Sequence, residues 1–348
     1  MLVILFKSLS TAVISIFGVI TVLFFLFYWI GDPAQMLAGQ RNDLATLESI
    51  RAELGLDKPL LSQYSNLLND ISPVALLDSK QQSSGNYHFL NIISTEPALV
   101  LKWPYLRRSF QSNRPVIDLY LSRLPGTLIL ATVSLILAIF IGIPLGGIAA
   151  ANAQKTLDKL LIIITTAGIA APSFFMAVLL IRIFVIDLGG ITNLPIAGYL
   201  IERDIFSADT HIDFRYLVLP ALSLAIRPLS QILQLTRDAC LGVLDQNYIR
   251  TARAKGLSEG YIWFKHILPN ALNPLITATS GWFASLLSGA FFIEYLFDWL
   301  GVGKLTVDAM LQHDFPVILG GVVMSATIFI TVNTFADILN RLIDPRIS

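Results

Sequence analysis

The chain has 348 residues, with 24 basic and 24 acidic side chains and a formal net charge of zero. Charged residues make up only 14% and hydrophobic residues 55%, and the mean hydropathy is +0.69. Soluble domains carry about 25% charged residues, so the composition excludes an ordinary soluble enzyme, gives no basic field for nucleic acid, and points to an all-α polytopic membrane protein. The single cysteine, Cys240, excludes an intrachain disulfide framework.

Residues 8–30 carry no charge and follow Lys7. The run is long enough for one helical crossing, exceeds a signal-peptide core, and is not followed by a small-x-small cleavage site. Residues 1–30 are therefore expected to hold a retained first transmembrane helix. Residues 31–123 differ, because their basic side chains (Arg41, Arg51, Lys58, Lys80, Lys102, Arg107, Arg108, Arg114 and Arg123) are matched by as many acids. This stretch reads as a long soluble segment. Asn42 is a candidate cap for a helix over 43–54 closed by Gly55, and Pro59 opens another with Leu60, Leu61, Tyr64, Leu67 and Leu68. Within it, residues 71–105 read as an extra insertion with a Ser/Gln/Gly-rich centre at 80–86.

Residues 124–348 are expected to hold five more crossings. The second starts at Arg123-Leu-Pro-Gly-Thr127 and ends near Ala150, with Gly142 and Gly146 in small-xxx-small spacing that favours helix packing. The third covers 159–186 and contains Pro172-Ser173. The fourth, 216–236, carries Arg227, Pro228, Gln231 and Gln234. Ten Leu, Ile and Val residues there favour insertion by about 3–6 kcal/mol in all, against about 2.5–3.5 kcal/mol for one arginine. Arg227 and the glutamines are expected to face other helices or an aqueous cavity, with Arg227 meeting an anionic group of a cargo, a neighbouring carboxylate or the interface. The fifth crossing spans 271–297 and the sixth ends near Asn340.

Between the fourth and fifth lies a polar interruption, 245–269, too charged to cross a bilayer. Asp245 is a candidate N-cap, Gly256 a left-handed helix end, Ser258 a second start and Pro269 a second end. Ile249, Ala252 and Leu257 alternate with Arg250, Arg253 and Lys255, giving an amphipathic basic segment. Amphipathicity alone fits a helix resting on anionic lipid.

The spacing of Ala252, Gly256 and Leu268-Pro269 resembles the EAA loop of ABC-importer permeases. Arg250 and Thr251 replace the usual Glu-Ala, and His266 stands where Ile is usual, which is similar to the dipeptide/oligopeptide/nickel branch. Gly31-Asp-Pro33, Arg51-Ala-Glu-Leu-Gly55-Leu-Asp-Lys-Pro59, Gly168–Phe175, Phe292-Ile-Glu-Tyr-Leu-Phe297, Gly301-Val-Gly303 and Leu342-Ile-Asp-Pro-Arg346 carry the same resemblance. It implies the type I ABC importer permease fold with six transmembrane helices and a long extracytoplasmic insertion after helix 1. It further implies that Tyr248, Arg250, Thr251, Ala252, Arg253, Lys255, Gly256, Leu257, Leu268 and Pro269 dock an ATPase, and that Pro172, Ser173, Arg227, Gln231 and Gln234 line the pathway. The implied partners are a homologous permease in a heterodimer, two ABC ATPases, an extracytoplasmic binding protein and membrane lipid. ATP and Mg would be used by the ATPase subunits, with no cofactor on this chain. Short peptides are the family's commonest cargo; nickel, cationic peptides and other small solutes are alternatives.

Charge placement agrees with cytoplasmic termini in a bacterial inner membrane. Lys7, Lys155, Lys159, Arg237, Arg250, Arg253, Lys255, Lys265, Arg341 and Arg346 fall in inner segments, against Arg203, Arg215 and Lys304 in short outer loops. Chemistry is not encoded in any familiar form. His88, His211, His266 and His313 are scattered, and Gly303-Lys304 lacks the Gly at 298 and the Ser or Thr at 305 of a phosphate loop. An ion-coupled secondary transporter would need carboxylates in mid-membrane, whereas Asp187, Glu294, Asp298 and Asp337 sit near expected helix ends.

Overall fold

The computed structural model describes residues 2–30, 48, 51, 56–79, 89–93, 97–199, 201–203 and 210–343. The helix expected at 43–54, the Gly31-Asp-Pro33 motif and the Asp344-Pro-Arg346 terminus lie outside these residues. The chain forms two compact units: residues 1–5, 123–304 and 325–348, and residues 6–122 with 305–324.

The second unit contains most of α1 (Leu2–Ile30), and α2 (Leu60–Ile71) begins directly after Pro59 as expected. Tyr64 of α2 hydrogen-bonds Thr21 of α1 at 2.6 Å and packs against Phe17 and Phe24. The fold is not wholly α. Residues expected only as an insertion build an antiparallel three-stranded sheet from β1 (Val74–Leu77), β2 (Phe89–Ile93) and β3 (Ala98–Lys102), with β3 central. The alternation in Val74-Ala-Leu-Leu77 and Ala98-Leu-Val-Leu-Lys102 drives this: Ala75, Leu77, Ala98 and Val100 are buried together on one face. After the sheet, the Asp314 carboxylate accepts from the Ser109 hydroxyl (2.6 Å) and the Phe110 N–H (3.1 Å), fixing the strap that leads into the next helix.

α3 (Val116–Ala151) begins seven residues earlier than the expected second crossing and runs through Pro125 and Pro144. In the first unit it is followed by α4 (Thr156–Ala170) and α5 (Ser173–Ile181), which continues as a wide turn, Arg182–Asp187. The third crossing expected at 159–186, whose Gly168–Phe175 resembles the family's kinked helix, is a helix pair bent by 110°. Pro172 causes the break: it has no N–H to donate and forces Ala171 into an extended conformation (φ −73, ψ 132). A two-stranded ribbon, β4 (Ile201–Arg203) with β5 (Thr210–Ile212), precedes α6 (Arg215–Leu244), a single uninterrupted helix.

Among the described residues, α3, α6 and residues 315–335 are long and apolar enough to cross a membrane, and the α4–α5 pair qualifies as a broken span. The segment expected as the fifth crossing, 271–297, is also interrupted. α10 (Asn273–Gly289) is separated by Ala290 from α11 (Phe291–Leu296), and α12 (Val302–Leu311) and α13 (Phe315–Ile343) are the last elements among the described residues.

The Gly142/Gly146 spacing is a packing device. A Cβ at Gly146 would stand 2.6 Å from the Leu233 carbonyl oxygen and 2.6 Å from the Thr236 Cβ, so α3 and α6 meet backbone to backbone. Replacing Gly146 by Leu forces the helices apart. The expected result, read as thermal aggregation of detergent-solubilised protein, is a large loss of stability, whereas Gly147→Leu, with nothing within 4 Å, leaves the transition unchanged.

Candidate coupling site and translocation path

The polar interruption forms two helical arms. α7 (Asn247–Ala254) is eight residues long, and α8 (Glu259–Ile262) passes through the wide turn Trp263–Ile267 into α9 (Leu268–Ala271). Gly256 lies between them at φ +76. Its N–H donates to the Arg253 carbonyl (2.9 Å) and the Leu257 N–H to the Ala252 carbonyl (3.3 Å), the paired bonds of a Schellman end. Ser258 caps the second arm, accepting from the Tyr261 N–H. Two boundaries differ from expectation. Asp245 closes α6 instead of capping α7, whose extended Gln246 supplies no side-chain cap. Pro269 does not end the second arm; it lies in the first turn of α9, where a missing N–H leaves no helical bond unmade.

One face of the arms is consumed by the chain itself. Ile249, Ala252, Ile262, Ile267 and Ala271 are buried in one cluster with Ala150 of α3 and Cys240 of α6; Leu268 packs against its edge. The other face presents Arg250, Thr251, Arg253, Lys255, Tyr248 (44% exposed), Leu257 (38%) and Phe264 (78%). Of the residues expected to dock an ATPase, Leu257 lies on this exposed face, whereas Ala252 is in the buried cluster and Leu268 at its edge. Arg253 donates from Nε to Glu259 Oε1 (2.8 Å) and from Nη2 to Oε2 (3.2 Å), a fork across the Gly256 hinge. The Arg253 bond holds the Glu259 carboxyl below its usual range. With the folded pKa depressed, the fork's contribution is complete above the ordinary carboxylate range and is lost as pH falls through the lowered value.

Of the expected path residues, Pro172 is exposed at the α4–α5 break and Ser173 is half-buried. Gln234 donates to the Thr165 hydroxyl of α4 (3.0 Å), so its polarity is internally satisfied. Arg227 is exposed and Gln231 half-buried one turn on.

Two polar clamps are not apparent from local sequence. Asp158, buried at the start of α4, receives Nε (2.6 Å) and Nη2 (2.9 Å) of Arg237 from α6 and the Gln154 N–H (2.8 Å). Opposite charges at the ends of neighbouring crossings are the available signal. Arg237→Ala strands a buried carboxylate and is expected to cost about 3–5 kcal/mol, measurable as a lowered unfolding transition, while Asp238→Ala on the exposed side of the same arginine has little effect.

Glu294, expected only as an acid near a helix end, is fully buried. One carboxylate oxygen accepts from the Thr127 hydroxyl (2.6 Å), the other from the N–H groups of Gly303 (2.6 Å) and Lys304 (3.1 Å). The Val302 N–H donates to the same Thr127 oxygen (2.8 Å). Thus the Gly303-Lys304 backbone, which resembles a phosphate loop in spelling, is filled by the chain's own carboxylate.

Residues 142–348 match the family described as the binding-protein-dependent transport system inner membrane component, and residues 1–131 match its N-terminal region. The glutathione transport system permease protein GsiC of Escherichia coli strain K12 is 33% identical over 332 residues, 94% of each chain. The oligopeptide transport system permease protein AppB of Bacillus subtilis is 40% identical over 237 residues, 68% of this chain and 73% of that protein. In fold, the chain is similar to an inward-facing crystal structure of the MetNI methionine ABC transporter, with a TM-score of 0.52 at 17% identity, covering 65% of this chain and 96% of that one. The chain accordingly belongs to the binding-protein-dependent transport system inner membrane components and is a multi-pass permease of an ABC importer.

Proposed function

We propose that this permease forms half of a path for short peptides in a bacterial inner membrane, as one partner of a heterodimer with a homologous permease. In this reading it has six transmembrane segments, α1, α3, α4–α5, α6, α10–α11 and α13, with both termini cytoplasmic and residues 31–123 extracytoplasmic. Peptide cargo is supported by the names of its relatives, one for glutathione, a tripeptide, and one for oligopeptides. An extracytoplasmic binding protein delivers the cargo, and two ABC ATPases using ATP and Mg drive its passage.

The observation that carries the coupling role is the division of faces on α7–α9. A helix held by lipid needs its apolar side free, and here that side is packed against Ala150 and Cys240. What remains is a rigid surface of cations and aromatics around Gly256, suited to a groove on a protein partner. Closure of an ATPase dimer would push this surface and, through the packed cluster, the ends of α3 and α6. Interactions of this kind transmit a conformational change when the two states make different contacts.

Purification from native membrane in mild detergent tests this reading. A second permease and one or two ATPases should accompany the chain, and the reconstituted complex should accumulate di- to pentapeptides only with ATP and binding protein. A homo-oligomer without an ATPase, isolated where a known importer stays intact, would contradict it.

A further inference from the structure

Three arginines punctuate α6. Arg215, at its start, is held by the Asp213 carboxylate (Nε to Oδ1 3.1 Å, Nη2 to Oδ2 2.7 Å). Arg237 is held by Asp158 and Asp238. Arg227, between them, is exposed and has no hydrogen bond or ion pair among the described residues. It stands roughly 18 Å along the helix from Arg215 and roughly 15 Å from Arg237, far from either end of the span. Gln231, one turn further, also lacks a partner among the described residues. The neighbouring Pro228, Ser230, Ile232 and Leu233 are buried, so the other sides of the helix are packed within the chain.

An unpaired guanidinium in mid-span does not face hydrocarbon; such residues face water-filled cavities or a pairing anion. The two free groups differ in chemistry. A guanidinium is a planar fork of five donors matched to a carboxylate. A carboxamide carries the donor and acceptor of a peptide bond. A carboxylate contributed by a neighbouring subunit would satisfy Arg227 but leave Gln231 unexplained. A peptide satisfies both, its terminal carboxylate on one and its last amide on the other.

We infer that Arg227 and Gln231 form a carboxylate-selecting station in the translocation path, which binds the free C-terminus or an acidic side chain of a passing peptide. This rests on the reading of the path as a peptide path. It adds a selection step inside the membrane: cargo lacking a carboxylate is disfavoured there.

The test uses the assembled importer in proteoliposomes with two readouts. In the first, Gln231→Cys, in an importer whose other subunits carry no reactive cysteine, is reacted with an anionic and a cationic methanethiosulfonate; this chain's own Cys240 is buried. The anionic-to-cationic rate ratio should fall about tenfold when Arg227 becomes Gln, the effect of losing one charge-assisted contact, and should be kept by Arg227→Lys. In the second, uptake of a tripeptide is compared with that of its C-terminal amide. The wild type should favour the free acid, and Arg227→Gln should bring the two within about twofold of each other. An unreactive thiol in the Gln231→Cys protein, an unchanged reagent ratio, or equal loss of both peptides in Arg227→Gln would overturn the station. So would failure of Arg227→Gln to assemble while Arg227→Lys assembles, since Arg227 would then be paired with a neighbouring subunit. A complex that moves neither peptide yet shows the reagent shift would retire the peptide cargo and leave an anion site standing.

Discussion

Glu294→Ala is expected to abolish accumulation of the folded permease. The substitution removes the carboxylate that accepts from the buried Thr127 hydroxyl, the buried Gly303 N–H and the half-buried Lys304 N–H. Each orphaned donor costs about 1–3 kcal/mol, so a combined loss of roughly 3–9 kcal/mol is a large part of the marginal stability of a folded chain. Glu294→Gln retains one oxygen for the two backbone donors. Its amide faces the Thr127 oxygen, which already accepts from Val302, so the variant should be intermediate. Gly301→Ala should resemble Glu294→Ala, because a Cβ at Gly301 collides with the Glu294 carboxyl group. Fluorescence-detected size-exclusion of tagged variants ranks the four proteins: wild type, Glu294→Gln, then the other two near background. Normal accumulation of Glu294→Ala would show that the clamp is dispensable.

Gly256→Pro should leave insertion intact and uncouple transport. Proline fixes φ near −65°, whereas Gly256 sits at +76, and the substitution removes the N–H that donates to the Arg253 carbonyl. The Schellman end is lost and the Arg253–Glu259 fork with it, so the two arms no longer meet at a fixed angle. Gly256→Ala isolates the conformational component. Nothing lies within 4 Å of its Cβ, so only the left-handed backbone is penalised, by about 1–2 kcal/mol. Peptide-stimulated ATP hydrolysis and uptake should be reduced by more than tenfold in the proline variant and less than threefold in the alanine variant, at equal amounts in the membrane. Stimulated transport at the wild-type rate with proline would remove the lever from the mechanism.

The parts legible in the sequence are those written in local pattern. Charge-free runs mark α1, α3 and α13, and Gly256 marks a left-handed helix end because few other residues take that conformation. The small-xxx-small spacing marks where α3 meets α6. What stays hidden depends on residues distant in sequence. The boundary of α3 is extended by Val116–Ser122, which carry both Asp118 and apolar residues. The sheet is paired across a segment whose composition resembles a linker. The role of Glu294 is invisible without Thr127 and the 301–304 turn, all brought to one point by tertiary packing. Pro172 is legible as a kink, but its 110° size depends on the helices around it. Pro269 illustrates the reverse error: proline reads as a stop, although it is equally suited to a helix's first turn.

A photo-crosslinking residue at Lys255, compared with one at the buried Ile249, tests the coupling surface most directly. In the intact importer, position 255 should crosslink to an ATPase subunit, with a yield that changes on trapping the ATP-bound state, while position 249 crosslinks only within the permease. Crosslinks from 255 to lipid alone, or none that depend on the ATPase, would contradict the account.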